Sequence, residues 1–188
     1  MRVLIWAYLA LAYGFVFLPV AVLLAFSFQD GRLPVPPFKG ATLDWYAKIL
    51  GNDDLTAALL NSLLVAIASS LIALILGFLA AHALARVRLP GSALMRGVLI
   101  APMTVSYLII ALGLLNLFNL TGIRLSLLTV GVGHVVIHLP LCFAITYAAM
   151  GDHQKTAERA ARDLGAPEWK VLALISAPML AAPLAAAF

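Results

Sequence analysis

The sequence predicts an all-α, polytopic transmembrane protein, and three observations carry that reading. Of the 188 residues, 64% are hydrophobic and 11% are charged, whereas a soluble domain runs at roughly 45–50% and about 25%. The mean hydropathy is +1.06. The apolar residues are gathered into runs long enough to cross a bilayer, which takes about 20 residues, and those runs contain no Asp, Glu, Lys or Arg.

The first run, 3–28, is far longer than the roughly 7–15 apolar residues of a cleaved leader, so it reads as a span. A connection from Gln29 to Thr56 follows, with Pro34, Pro36 and Pro37 and then "TLDWYAKIL", a short amphipathic helix. Trp45 and Tyr46 suit a membrane interface, where aromatic rings anchor. Asp30, Asp44, Asp53 and Asp54 read as solvated loop charges, with a role in greeting a cation or a docking partner as the alternative. The second span, 57–85, places Ser69, Ala73, Gly77, Ala81 and Ala85 at every fourth position. Such a stripe lets another helix approach closely. The third and fourth spans are 97–118 and 125–150. In the fourth, His134 and His138 lie one turn apart, which reads as hydrogen bonding between helices; with no third ligand in view, no metal is expected. A fifth run, 171–188, ends at the last residue and is interrupted by Pro178 and Pro183. The expectation is a chain truncated at its C-terminus. The single cysteine, Cys142, excludes a disulfide framework.

Orientation follows from Lys and Arg. One set of connections holds Arg2, Arg86, Arg88, Arg96, Lys155, Arg159, Arg162 and Lys170; the other holds Arg32, Lys39, Lys48 and Arg124. The richer set belongs in the cytoplasm, which places the N-terminus inside. The pI of about 9.5 therefore reflects topology, and no nucleic-acid partner is expected. From Leu55 to Gly151 there is no acidic residue. Proton-coupled carriers use intramembrane ionisable groups, so this chain is not expected to power transport alone.

The segment "KTAERAARDLGAPEWKVLALISAP" is too short and polar to span. Thr156 reads as an N-cap, with Glu158 in the first turn, where the helix dipole favours an anion. Gly165 reads as a left-handed stop and Pro167 as the first turn of a new helix. A short helix over 157–164 then places Ala157, Ala160, Ala161 and Leu164 on one small apolar face. Glu158 with Arg162 and Arg159 with Asp163 are expected as i, i+4 pairs, each adding about 0.2–0.5 kcal/mol. Two isolated turns are marginal in water, so a partner groove is expected to hold this helix by its alanine face.

These residues resemble the cytoplasmic loop of ABC importer permeases, with its pattern E-A-A, three residues, Gly, nine residues, I-x-L-P. Here the register is Arg159-Ala160-Ala161, Gly165 and Ile175-Ser176-Ala177-Pro178. Arg159 stands where the pattern has Glu, Ala177 where it has Leu, and Glu158 falls one residue early. "AARDLGA", and "SFQDGRLPVPPFKGATLDWYAKIL" followed by "NSLLVAIASSLIALILG", are similar to the second permease of spermidine/putrescine-type systems.

The resemblance implies a helical bundle of the type I ABC importer kind, with a sixth span absent here. It implies a coupling helix gripped by one of two ATP-binding subunits, through Glu158, Arg159, Ala160, Ala161, Gly165 and Pro178. It also implies a second permease subunit, an external solute-binding protein and an inner-membrane location. Tyr107 and Tyr147 are candidates to line the path, with apolar packing as the favoured alternative. The chain has no G-x-x-x-x-G-K-[ST] loop and is read as a non-enzymatic subunit needing no cofactor. The expected solute is a polyamine. Another solute such as iron(III), a non-transporting fragment or scaffold, and a self-sufficient carrier are the other readings.

Overall fold

The computed structural model describes residues 2–31, 33, 35–38, 40–87 and 90–188. Arg32, Lys39 and Arg88, three of the charges used for orientation, and Pro34 lie outside the described residues. Every described element is helical, apart from an isolated bridge between Gln29 and Ala41. Among the described residues three helices are long and apolar enough to cross a membrane, or up to five if each of two bent pairs counts as one span. The protein is an all-α, multi-pass membrane protein. It divides into two compact units, Met1–Leu59 and Leu60–Phe188, each described by itself.

In the first unit no described side chain of α1 (Arg2–Ser27) is buried, and most are exposed, which suits lipid as its solvent. Pro19 lies inside it without ending it, as prolines in membrane helices commonly do. The following connection folds back on itself. Gln29 is buried, its backbone carbonyl accepts from Trp45 Nε1 at 3.2 Å, and its side-chain amide donates to the carbonyls of Leu33 and Val35. Trp45 and Tyr46 sit on the short helix α2 (Asp44–Leu50). The Tyr46 hydroxyl lies 2.7 Å from Ser27 Oγ and its ring packs on Phe28. The two aromatics therefore fasten the connection to the end of α1. The unit closes with the start of α3 (Asp53–Arg86), where Asn52 Oδ1 accepts from the Leu55 N–H at 3.0 Å.

In the second unit the small-residue stripe of α3 is a packing face. Ser69, Ala73, Gly77 and Ala81 are buried, while Ala85 is half-buried. The partner helix is α6 (Leu127–Ala149). A Cβ on Gly77 would lie 2.8 Å from Cys142 Cβ and 2.9 Å from the Phe143 backbone nitrogen, so only glycine permits this approach. Further along, Ala81 and Leu84 enclose Phe143, with Leu99, Tyr147 and Met150 packed around them.

The expected third span, 97–118, is not straight. α4 (Ser92–Ile100) runs into a 3₁₀ turn, Ala101–Thr104, and α5 (Tyr107–Leu120) departs at 103°. Pro102 opens the 3₁₀ turn, and Val105 and Ser106 take extended ψ angles of 139° and 134° that no helix continues through. The 14 residues of α5 alone reach only about 21 Å. The run at 171–188 is also broken. α8 (Glu168–Val171), a π-helical turn (Leu172–Ser176) and α9 (Ala177–Met179) are followed at 78° by α10 (Ala181–Ala187). Proline supplies the reason. Pro178 has no N–H to give the preceding turn, and a π turn widens the helix just before it. Among the described residues His134 makes no hydrogen bond to another helix; its Nδ1 lies 2.9 Å from its own Val130 carbonyl.

The close α3–α6 contact gives a direct test. Gly77→Ala is expected to destabilise the protein by about 1–3 kcal/mol through overpacking. Gly113→Ala, where an added Cβ meets nothing within 4 Å, is expected to be close to neutral apart from helix propensity. Thermal unfolding in detergent compares the two.

Candidate functional site

The candidate coupling segment is α7 (Asp152–Asp163), longer than the expected 157–164 by more than a turn at its start. Thr156 is not its cap. Gly151 is, and the Gln154 side chain reaches back to accept from the Gly151 N–H at 2.9 Å. The Thr156 hydroxyl instead donates to the Asp152 carbonyl. The far end closes as the glycine suggests. Gly165 has φ +82°, its N–H bonds the Arg162 carbonyl at 2.8 Å, and the Ala166 N–H bonds Ala161 at 3.0 Å. That pair of bonds is a Schellman motif. Pro167 sits one place before the next helix, as the cap of α8.

The alanine face did not prepare for what Glu158 does. Its side chain is fully buried, and it is the hub of a cluster drawn from three segments. Arg86, the last residue of α3, donates from Nε to Oε2 at 2.6 Å and from Nη2 to Oε1 at 3.3 Å. Ser176, in the π turn, donates from Oγ to Oε1 at 2.9 Å. His82, one turn before Arg86, holds Nε2 3.7 Å from Oε2. Burial alone would push the Glu158 carboxyl up, but hydrogen bonds from Arg86 and Ser176 and the Arg86 charge outweigh it and hold the carboxyl below its ordinary value. Arg86 also reaches the Gly151 carbonyl at 3.5 Å, at the cap of α7.

Neither expected i, i+4 pair forms. Glu158 is taken by Arg86, and Arg162 turns across the Gly165 turn to Glu168, with contacts of 2.6 and 3.1 Å. The hydrogen bond to Arg162 holds the exposed Glu168 carboxyl below its usual range, and the same bond raises Arg162. An exposed pair of this kind adds little stability, but it bridges α7 and α8.

The candidate coupling residues therefore do not share one surface. Glu158 points inward, Arg159 and Ala160 are exposed, Ala161 is half-buried, and Leu164 stands 89% exposed at the C-cap. Pro178 is exposed beyond the π turn. Of the two path candidates, Tyr147 is engaged in packing: its hydroxyl accepts from Arg96 Nη1 at 2.7 Å and its ring stacks on Phe143. Tyr107 is exposed at the start of α5, and the two tyrosines occupy different settings. Sequence reasoning missed Arg86, Ser176 and His82 as site residues. Arg86 served only to fix topology, and Ser176 fell on an unspecified position of the I-x-L-P pattern. The available signal was the spacing of His82 and Arg86, one turn apart at the end of a span.

No protein-family model matches the chain. Among curated proteins, it is 32% identical to the spermidine/putrescine transport system permease protein PotC of Escherichia coli K12, over 99% of this chain and 70% of that protein. It is 30% identical to PotC of Haemophilus influenzae, over 92% of this chain and 67% of that protein. It is also 30% identical to the putrescine transport system permease protein PotI of E. coli K12, over 93% and 65%. The chain belongs to the ABC importer permease family. In this permease the loop that resembled the family's pattern is thus a packed helix–turn–helix fastened by a buried carboxylate.

Removing Arg86 strands that carboxylate in the interior. Arg86→Ala is expected to cost about 3–5 kcal/mol, and Ser176→Ala about 1–3 kcal/mol, both read by thermal unfolding in detergent at neutral pH. Because the folded Glu158 value is depressed, its contribution is full above the unfolded value near 4.5 and is lost as pH falls through the folded value. Glu158→Gln is expected to flatten the acid limb of a stability–pH profile below that point.

Proposed function

We propose that this chain is a permease subunit of an ATP-driven importer of polyamines such as spermidine and putrescine. The observation that carries this reading is the match along nearly the whole chain to permeases named for those solutes. The packed α7–Gly165–α8 turn, where the resemblance expects the coupling helix, supports it. The eight-to-four distribution of Lys and Arg supports a cytoplasmic N-terminus and places α7 on the cytoplasmic side. There, one of two ATP-binding subunits grips α7, while a second permease completes the path and a solute-binding protein delivers the polyamine from outside.

The geometry refines how the grip works. A fully buried Glu158 offers its carboxylate to Arg86 and Ser176 rather than to a docking subunit. The surface left for the ATP-binding subunit is the exposed side of α7 around Ala160, continuing to Leu164. When the ATP-binding subunits close, displacement of α7 pulls through Glu158 on the end of α3 and on the π turn of the broken fifth run. The membrane-embedded residues include no carboxylate to greet a polycation, so carbonyl dipoles, aromatic faces and the partner subunits supply recognition.

Uptake of labelled spermidine and putrescine tests the reading, in cells stripped of their own polyamine import and supplied with this chain and its neighbouring subunits. Saturable, ATP-dependent uptake that excess ferric iron does not compete is the expected result. Uptake of another solute with none of polyamines would overturn the assignment. In the same system Gly165→Val is expected to abolish most uptake while ATP hydrolysis continues. A β-branched residue is strained at φ +82° and would change the angle between α7 and α8.

A further inference from the structure

A cavity of about 620 Å³ opens between the last turns of α3 and the α7–α8 turn. Its polar lining is Arg86, Lys155, Arg159, Arg162, His82 and Glu168. Two of these cations are already matched, Arg86 by Glu158 and Arg162 by Glu168. Lys155 and Arg159 have no acidic partner among the described residues, which leaves an excess of two positive charges at one place. The rest of the wall is apolar: Leu79 and Ala83 from α3, Val87 just beyond its end, and Leu172 from the π turn. Leu79 is 44% exposed, on a 34-residue helix about 51 Å long that outruns a hydrocarbon core about 30 Å thick. The cavity thus joins a cationic rim to the apolar flank of α3 within that helix's last two turns.

The basic rim is not the face available to a partner of α7. At about 100° per residue, Lys155, Arg159 and Arg162 form one stripe. Ala160 and Leu164 lie on the opposite side of the helix.

We infer that this cavity binds the phosphate of an anionic phospholipid, held by Lys155 and Arg159, with its acyl chains along Leu79 and Leu172. A lipid phosphate and free inorganic phosphate share the anionic chemistry. The apolar side of the wall selects the lipid, because a free ion has no use for it. Basic pockets beside membrane helices take anionic headgroups in this manner.

The test reconstitutes the full chain in nanodiscs of phosphatidylcholine with phosphatidylglycerol as a minor component, and reads co-retained lipid by native mass spectrometry. Preferential retention of phosphatidylglycerol is expected. That preference should fall about thirtyfold in the Lys155→Gln/Arg159→Gln double variant, at roughly 1 kcal/mol per cation, and persist in Lys155→Arg/Arg159→Lys. Neither residue makes a side-chain hydrogen bond or ion pair among the described residues, so neither change threatens the fold. Equal retention by the wild type and the Gln variant overturns the inference. Displacement of the lipid by millimolar inorganic phosphate overturns the lipid assignment in favour of a free ion. Loss of the ATP-binding subunit by the Gln variant in lipid-neutral nanodiscs overturns it in favour of an acidic protein surface. The readout is lipid mass, so none of these outcomes bears on which solute is transported.

Discussion

One buried carboxylate governs how the second unit holds together. An ionised side chain removed from water is costly unless partners satisfy it closely. Glu158 meets that requirement with the Arg86 guanidinium and the Ser176 hydroxyl. The three residues come from the end of α3, from α7 and from the π turn. No one of these segments can move far without either carrying the others or exposing an unmatched charge. α7 is therefore no loosely tethered loop helix, although it is strongly polar and too short to be stable alone.

The backbone devices around it serve the same end. The Schellman turn at Gly165 ends α7 abruptly and lets Arg162 meet Glu168 across the corner. Pro178 removes a helical hydrogen bond, and the π turn before it is where Ser176 sits. A regular helix there would rotate Ser176 away from Oε1. Gly77 brings the backbones of α3 and α6 together, which sets the position of the Arg86 end. Close packing in the membrane, a helix stop and a helix defect thus converge on one side-chain contact.

What could be read from the sequence was whatever is periodic or local. The stripe from Ser69 to Ala81 announced a packing face because its spacing is that of one helix side. Gly165 announced a stop because only glycine takes its φ without strain. The partners of Glu158 could not be read, since Arg86 lies 72 residues away and contact over that distance is decided by how helices stack. Composition marked 97–118 as apolar but carried no sign of the extended pair Val105–Ser106, which turns one run into two helices. Thr156 was a plausible cap on local chemistry alone, yet Gly151 and Gln154 offered the same service one turn earlier. The longer helix also brings the carbonyl of its Gly151 cap within 3.5 Å of Arg86.

The faces of α7 explain the odd composition of the segment. One face carries Glu158 inward, where a single acid suffices because Arg86 neutralises it. A second carries Lys155, Arg159 and Arg162 beside the flank of α3. A third presents Ala160, small enough to let another surface approach, and runs on to Leu164. A short helix cannot serve an interior, a charged cavity and a flat exterior with one amphipathic stripe, because each needs its own chemistry at its own angle. Read as one face, Arg159 at the family pattern's acidic position looks like a defect. Read by angle, it points to the cavity, and the acid that ties α7 to the membrane helices is Glu158, one residue earlier and turned inward.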